Sequence, residues 1–188
     1  MRKLVFFMHT SLDSFVAGPN GEMNWIKVDE AIFDFVGTMT DQADTALYGR
    51  VTYEMMESYW PTAADKPTAT KHDIEHSQWY NKVSKIVLSR TIKETGQRNT
   101  KVISENISEN INRLKQQDGK NIIIFGSPSA SNSLLKMGVV DEFWIFVNPV
   151  LLGQGMPLFK DITESVLLTL IETRTFDNGV IALHYAKL

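Results

Sequence analysis

The sequence predicts an α/β protein whose mixed, mostly parallel sheet ends in a C-terminal antiparallel hairpin. Short apolar runs alternate with amphipathic stretches along most of the chain, an order that right-handed crossovers turn into a parallel sheet. Ile122-Ile123-Ile124-Phe125 is apolar at every position, the mark of a strand covered by helices on both faces. Near the C-terminus, Asp177-Asn178-Gly179 separates two strand-like segments. Asn-Gly tolerates the positive φ angles of a tight hairpin turn.

Each element follows from local pattern. The first strand is expected over Lys3–His9, with Leu4–Met8 as its apolar body, followed by a long connection over Thr10–Asn24. Ile32, Phe35, Val36 and Met39 recur at i, i+3, i+4 and i+7, so a helix follows, with Asp29 as N-cap. Thr45–Tyr48 is a strand, and a helix runs from Arg50 towards Tyr59. Pro61–Thr70 is polar and proline-bearing and reads as a surface loop. Lys85–Leu88 and Lys101–Ile103 are further strands. Ile107, Ile111 and Leu114 mark a helix that Gly119 should stop. After the Asn121–Phe125 strand, Leu134, Leu135 and Met137 lie in a helix that ends at Gly138. Glu142–Val147 is the last strand before the hairpin of Thr169–Phe176 and Val180–Lys187.

Composition narrows the function classes. The length, 188 residues, suits one domain spanning 1–188. Zero cysteine excludes a disulfide scaffold, a thiolate nucleophile, an iron–sulfur site and cysteine-ligated zinc. With 19 basic and 22 acidic side chains the net charge is −3, against a nucleic-acid partner. No apolar run approaches the ~18 residues of a membrane span. Arg2-Lys3 precedes an apolar run too short for a signal peptide, so the expected location is cytoplasmic.

Three expected strand ends carry chemistry. Tyr48-Gly49-Arg50-Val51-Thr52 and Phe125-Gly126-Ser127-Pro128-Ser129 each run from strand through glycine into a helix. Glycine lets backbone approach a ligand, and a helix start attracts anions. Thr52, Ser127 and Ser129 add hydroxyls, and two such starts suit a pyrophosphate. Leu88-Ser89-Arg90-Thr91 brings a hydroxyl and a guanidinium to the same edge, beyond the carboxyl ends of the strands, where ligands bind in open α/β sheets. Arg50 and Arg90 read either as solvated charges or as holders of an extra phosphate. The GxGxxG and GxxxxGK[ST] fingerprints are absent.

Other residues are candidates by position. His9 ends the first strand at that edge, whereas His184 reads as structural. Asp13 opens the long connection, and Trp25 precedes acidic Asp29 and Glu30. This group reads as lid, indole and proton-handling carboxylates, or as hinge and helix caps. His72-Asp73-Ile74-Glu75-His76 matches a zinc-peptidase pattern, with a polar exposed helix as the plainer reading.

Taken together, these stretches resemble the dihydrofolate reductase-like three-layer fold. They are most similar to the reductase domain of riboflavin-pathway deaminase-reductases and its stand-alone relatives. Ser11–Ala17, Tyr48–Glu54, Lys85–Thr91, Phe125–Ser127, Val139–Glu142 and Asn148–Gly155 with Leu158-Phe159 carry the resemblance, in family order. It implies NADPH as hydride donor and a homodimer. By position it implies cofactor binding at Gly49, Arg50, Thr52, Ser89, Arg90, Gly126, Ser127 and Ser129, with the nicotinamide near His9, Val16 and Ala17. Trp25 and Glu30 fall on the substrate side, and Glu30, Asp29 or Asp13 would supply the proton. Gly126-Ser127-Pro128 replaces the paired glycines of true dihydrofolate reductases, which points away from folate. No deaminase motif is present.

The expected protein is therefore an NADPH-dependent reductase of a small pyrimidine- or pterin-type heterocycle, with a small-molecule substrate as partner and no resident metal. The alternatives are a non-catalytic binder of a nucleotide or flavin-like ligand on the same fold, and metal-dependent hydrolysis through His72, Glu75 and His76.

Overall fold

The computed structural model describes residues 1–188. Its strands are β1 (Leu4–Ser11), β2 (Phe15–Ala17), β3 (Ala43–Gly49), β4 (Ser84–Leu88), β5 (Thr100–Ile103), β6 (Asn121–Phe125), β7 (Glu142–Asn148), β8 (Met156–Pro157), β9 (Leu168–Thr175) and β10 (Ile181–Lys187). The helices are α1 (Glu30–Asp41), α2 (Arg50–Tyr59), α3 (Lys71–Lys82), α4 (Ile107–Lys115) and α5 (Pro128–Lys136). Eight strands form one sheet in the order β5-β4-β3-β6-β1-β7-β10-β9. From β5 to β7 every pairing is parallel, and β10 pairs antiparallel with both β7 and β9. The sheet is mixed as its sequence implied.

Alternation along the strands builds two cores. Val5, Phe7, Ile123 and Phe125 face α1 and α3, packing against Ile32, Phe35, Val36 and Tyr80. Leu4, Phe6, Ile122 and Ile124 face the other way, against Ile111 and Leu134. Ile122, Ile123 and Ile124 are buried on both faces, and each such side chain stabilises the fold by ~1.5–3 kcal/mol. At the amino ends of the strands the scaffold is fixed by charge. Buried Arg2 pairs with Asp44, and buried Lys115 donates to Asp141 at 2.7 Å. The opposite edge is left for a site.

Local chemistry sets the boundaries. Asp29 caps α1 by accepting from Ile32 N at 2.9 Å. Thr70 and Asp73 form a reciprocal capping box that starts α3. In the hairpin, Gly179 alone takes positive φ, at 87°. Phe176 N donates to Val180 O at 2.9 Å, closing a loop of Asp177-Asn178-Gly179.

Four expectations change. β1 extends two residues past His9, to Ser11, because it pairs with β7 as far as Ser11–Asn148. The expected loop at Pro61–Thr70 contains most of a 3-10 helix, Trp60–Asp65, whose Ala63 is buried. α4 stops at a Gln116 cap, three residues before Gly119. The short β2–β8 pair was not anticipated, since three- and two-residue strands leave no periodicity. Gly155 permits that pairing: a Cβ there would lie 2.2 Å from Ala17 O.

Candidate functional site

Four strands end side by side at the carboxyl edge, in the order β4, β3, β6, β1. Gly49 is level with Leu88, and Phe7 with Phe125. Between the first three ends lies a cavity of about 380 Å³, lined by Gly49, Arg50, Thr52, Ser89, Arg90, Ser127 and Ser129 among others. Ser104 and Ile107, from the β5–α4 turn, close one side.

The walls suit an anion. α2 starts at Gly49 and α5 at Ser127, and neither helix has a side-chain cap. The first-turn amides of α2, and those of α5 that follow Pro128, which has no N–H, are free to meet phosphate oxygens, with the positive end of each helix dipole behind them. Gly49 N donates to Ser127 Oγ at 2.8 Å, tying the two starts together. Gly126 and Ser127 both adopt φ 56°. A Cβ on Gly126 would meet nothing nearer than Thr52 Cγ2 at 3.8 Å, so this backbone is open to an incoming group.

The two arginines differ. Arg50 Nη1 donates to both carboxylate oxygens of Glu54, one helix turn on, at 2.9 and 3.1 Å. Arg90 is exposed and forms no ion pair. Ser89 Oγ accepts from the amides of Thr91 and Ile92, both at 3.2 Å. It shapes the turn that presents Arg90 rather than offering a free hydroxyl.

A model of the RibD C-terminal domain matches residues 2–182. The chain belongs to the RibD C-terminal domain family. It is 35% identical to the uncharacterized protein YyaP of Bacillus subtilis (strain 168) over 187 residues, 98% of this chain and 94% of that one. Its fold is similar to a pyrimidine reductase-like protein from Corynebacterium diphtheriae, with TM-score 0.69 and 17% identity, covering 100% of this chain and 92% of that one. It is also similar to dihydrofolate reductase from Enterococcus faecalis complexed with NADP(H), with TM-score 0.64 and 15% identity, covering 98% and 96%. The fold of this RibD C-terminal domain is thus dihydrofolate reductase-like.

The remaining candidates lie outside the cavity. Val16 and Ala17 are buried in β2 beside β8. Asp13 accepts from Ser11 Oγ at 2.6 Å and from the amides of Leu152 and Gly153, at 3.1 and 2.7 Å. The Ser11 hydroxyl and those amides hold its carboxyl below the usual range, the reverse of what a proton donor at neutral pH requires. Asp13 is an anchor between loops. Asp29 is also occupied, with one oxygen on Ile32 N and the other accepting from Asn178 Nδ2 at 2.7 Å. Glu30, exposed in the first turn of α1, is the carboxylate left without such ties. Trp25 is half-buried, its Nε1 donating to Glu22 O at 3.0 Å.

The His72–His76 helix is not simply polar and exposed. His72 stacks on Phe33 with ring centroids 3.7 Å apart, and His76 packs 4.1 Å from Trp60 and 5.2 Å from Trp79. Glu75 points to solvent, and no three potential ligands converge there. His72 clasps α3 to α1 and His76 clasps it to the 3-10 helix at Trp60, an aromatic packing role rather than a zinc centre. His184, on β10, stacks on Trp144 and pairs with Glu142 at 3.1 Å.

Sequence reasoning missed Ser104, Ile107, Ser133 and Met156 in the cavity wall. Ile103-Ser104 ends a strand at a hydroxyl, the same signal as Leu88-Ser89, and was legible. Met156 arrives through the β2–β8 pairing, which leaves no local signature.

Proposed function

We propose that this RibD C-terminal domain is an NADPH-dependent oxidoreductase acting on a small heterocycle of the pyrimidine or pterin type. The substrate class is one like 5-amino-6-(5-phosphoribosylamino)uracil, the compound reduced by a structurally similar deaminase/reductase from Thermotoga maritima. The observation that carries this reading is the groove itself. Two uncapped helix starts, joined through Gly49 and Ser127, meet beside an unpaired Arg90.

The residues present fit the cofactor. Ser127 and Ser129 would receive the pyrophosphate on backbone amides and hydroxyls, while Gly49 and Gly126, whose own amides are given to Ser127 Oγ and Phe7 O, leave room for its approach. Arg90, with Arg50 as second, would hold the ribose phosphate through planar guanidinium geometry. Thr52 and Ser89 set the shape of that wall. His9, Val16 and Ala17 mark the far end, toward the substrate. When bound, reduced nicotinamide supplies a hydride to a C=N or C=O carbon. The chain's own part is orientation and exclusion of water. Glu30 is the carboxylate free to pass a proton from solvent, and Trp25 covers the same side.

The exposed edge strand β9 supports a homodimer. Leu170 and Ile171 are 51% and 55% exposed on an unpaired strand edge, which a second copy would cover.

The test is turnover. NADPH consumption is followed over a panel of aminouracils and pterins. Stoichiometric oxidation with one class supports a reductase. Tight cofactor binding with no oxidation across the panel would favour a non-catalytic nucleotide binder.

A further inference from the structure

The strand order continues the site past the groove. β1 lies beside β6, and Phe7 pairs with Phe125; His9 sits two residues further along β1, past the last paired residue of β6. A ligand running from Arg90 past Gly49 and Ser127 along this edge would come next to the end of β1, where His9 lies. The His9 side chain lies on the α1 face, as Val5 and Phe7 do. Its ring centroid is 4.9 Å from Phe146 and 5.5 Å from Phe7.

Asn148 fixes the state of this ring. Asn148 is fully buried at the end of β7, and its Oδ1 accepts from the amide of Lys27 at 2.8 Å. That bond leaves Nδ2 to face the carbonyls of Thr10 and Phe146, both at 3.2 Å, and His9 Nδ1 at 3.4 Å. The backbone partners decide the amide orientation, because an N–H can only donate and a carbonyl can only accept. His9 Nδ1 thus faces an amide –NH2 at 3.4 Å, a setting that favours the tautomer with its proton on Nε2. Nε2 has no hydrogen-bond partner in the protein. Burial pushes the imidazole down to about 4, so it is neutral at pH 7.

We propose that His9 is a substrate-binding residue whose Nε2–H donates to a carbonyl oxygen or ring nitrogen of the heterocycle, with Asn148 as its positioning residue. The inference rests on the reductase reading and deepens it. The acceptor atom gains electron density as the ring is reduced, and a fixed donor there is worth more than a mobile one. Asp29 is spent on the α1 cap and on Asn178, so it offers no such donor. A neutral imidazole also leaves the hydride's target free of a competing buried charge.

Nitrogen-15 NMR of histidine-labelled protein is the test. Without ligand, His9 should show the neutral Nε2–H tautomer at pH 7, and Asn148→Asp should move the proton to Nδ1. In protein saturated with NADP⁺, 5,6-diaminouracil serves as the pyrimidine probe. It should shift the His9 Nε2 signal and leave His184 unmoved. His9→Phe should weaken the probe about tenfold in protein saturated with NADP⁺. His9→Gln, which keeps an N–H donor, should recover most of the loss. A wild-type proton on Nδ1, no response of His9 to the probe, or full probe affinity in His9→Phe would each overturn the proposal. Failure of the wild type to bind NADPH would instead overturn the reductase reading, and the tautomer would still report on the His9–Asn148 pair.

Discussion

The amide of Gly49 donates to the hydroxyl of Ser127 across 2.8 Å, joining the end of β3 to the start of α5. Ser127 holds φ 56° and ψ 64°, a left-handed conformation that costs a non-glycine residue ~1–3 kcal/mol. The hydroxyl bridge is the feature that glycine could not supply. The strain and the bridge belong together, at the point where two helix starts face one groove.

Separating the two gives a first prediction. Ser127→Ala keeps the strained backbone and loses the bridge. It should lower stability by ~1 kcal/mol and weaken NADPH about tenfold. Ser127→Gly relieves the strain, so stability should stay within ~0.5 kcal/mol of wild type while NADPH still weakens. Urea unfolding and cofactor fluorescence read the two effects. Undiminished NADPH affinity in both variants would mean that the bridge is structural only.

The arginines give a second. Glu54 already occupies Arg50, whereas Arg90 is free. Arg90→Ala should weaken NADPH about tenfold or more and NADH less than about twofold. Arg50→Ala should have the smaller effect, and Glu54→Gln should tighten NADPH by releasing Arg50. Parallel losses for both cofactors in Arg90→Ala would remove the ribose phosphate from this arginine.

Acid should loosen the fold. Burial pushes His76 down to about 3 and His9 to about 4, below the 6.5 of a free imidazole. Both rings are neutral when folded, so their contribution is intact above pH 6.5. Below that pH the unfolded chain takes up protons that the folded chain refuses, and stability falls until about pH 4 for His9 and pH 3 for His76. By pH 5 each should cost ~2 kcal/mol. Unfolding midpoints at pH 7 and pH 5 measure the fall, and His76→Phe should reduce it. An unchanged difference in that variant would place the acid sensitivity elsewhere.

The edge strand predicts the oligomer. Replacing Leu170 and Ile171 with lysine leaves a strand with no buried face of its own to disrupt. The double variant should sediment as a monomer at concentrations where wild type is a dimer, with its melting temperature little changed. A wild type that is already monomeric would remove the second copy from β9.

Legibility in the sequence followed periodicity. Runs such as Ile122–Phe125 and the Ile32–Met39 stripe are local patterns, and they placed the strands and helices of both cores. The cavity residues Gly49, Arg50, Thr52, Ser89, Arg90, Ser127 and Ser129 were legible because strand ends of one parallel sheet must share an edge. What was not legible depended on partners distant in the chain. Asp13 is an anchor because Leu152 and Gly153 point amides at it. Arg50 is the exception, since its partner Glu54 is only one helix turn away, an i, i+4 spacing that the sequence itself displays. The aromatic clasp of His72 and His76 needs Phe33 and Trp60, supplied by two other elements.

The most direct measurement is a titration of purified protein with NADPH and with NADH, following the fluorescence of the reduced nicotinamide. Saturable binding that prefers NADPH by about tenfold or more, and loses that preference in Arg90→Ala, is the predicted result. No saturation by either cofactor at millimolar concentration would contradict it, leaving the groove between β4, β3 and β6 a structural feature of the fold.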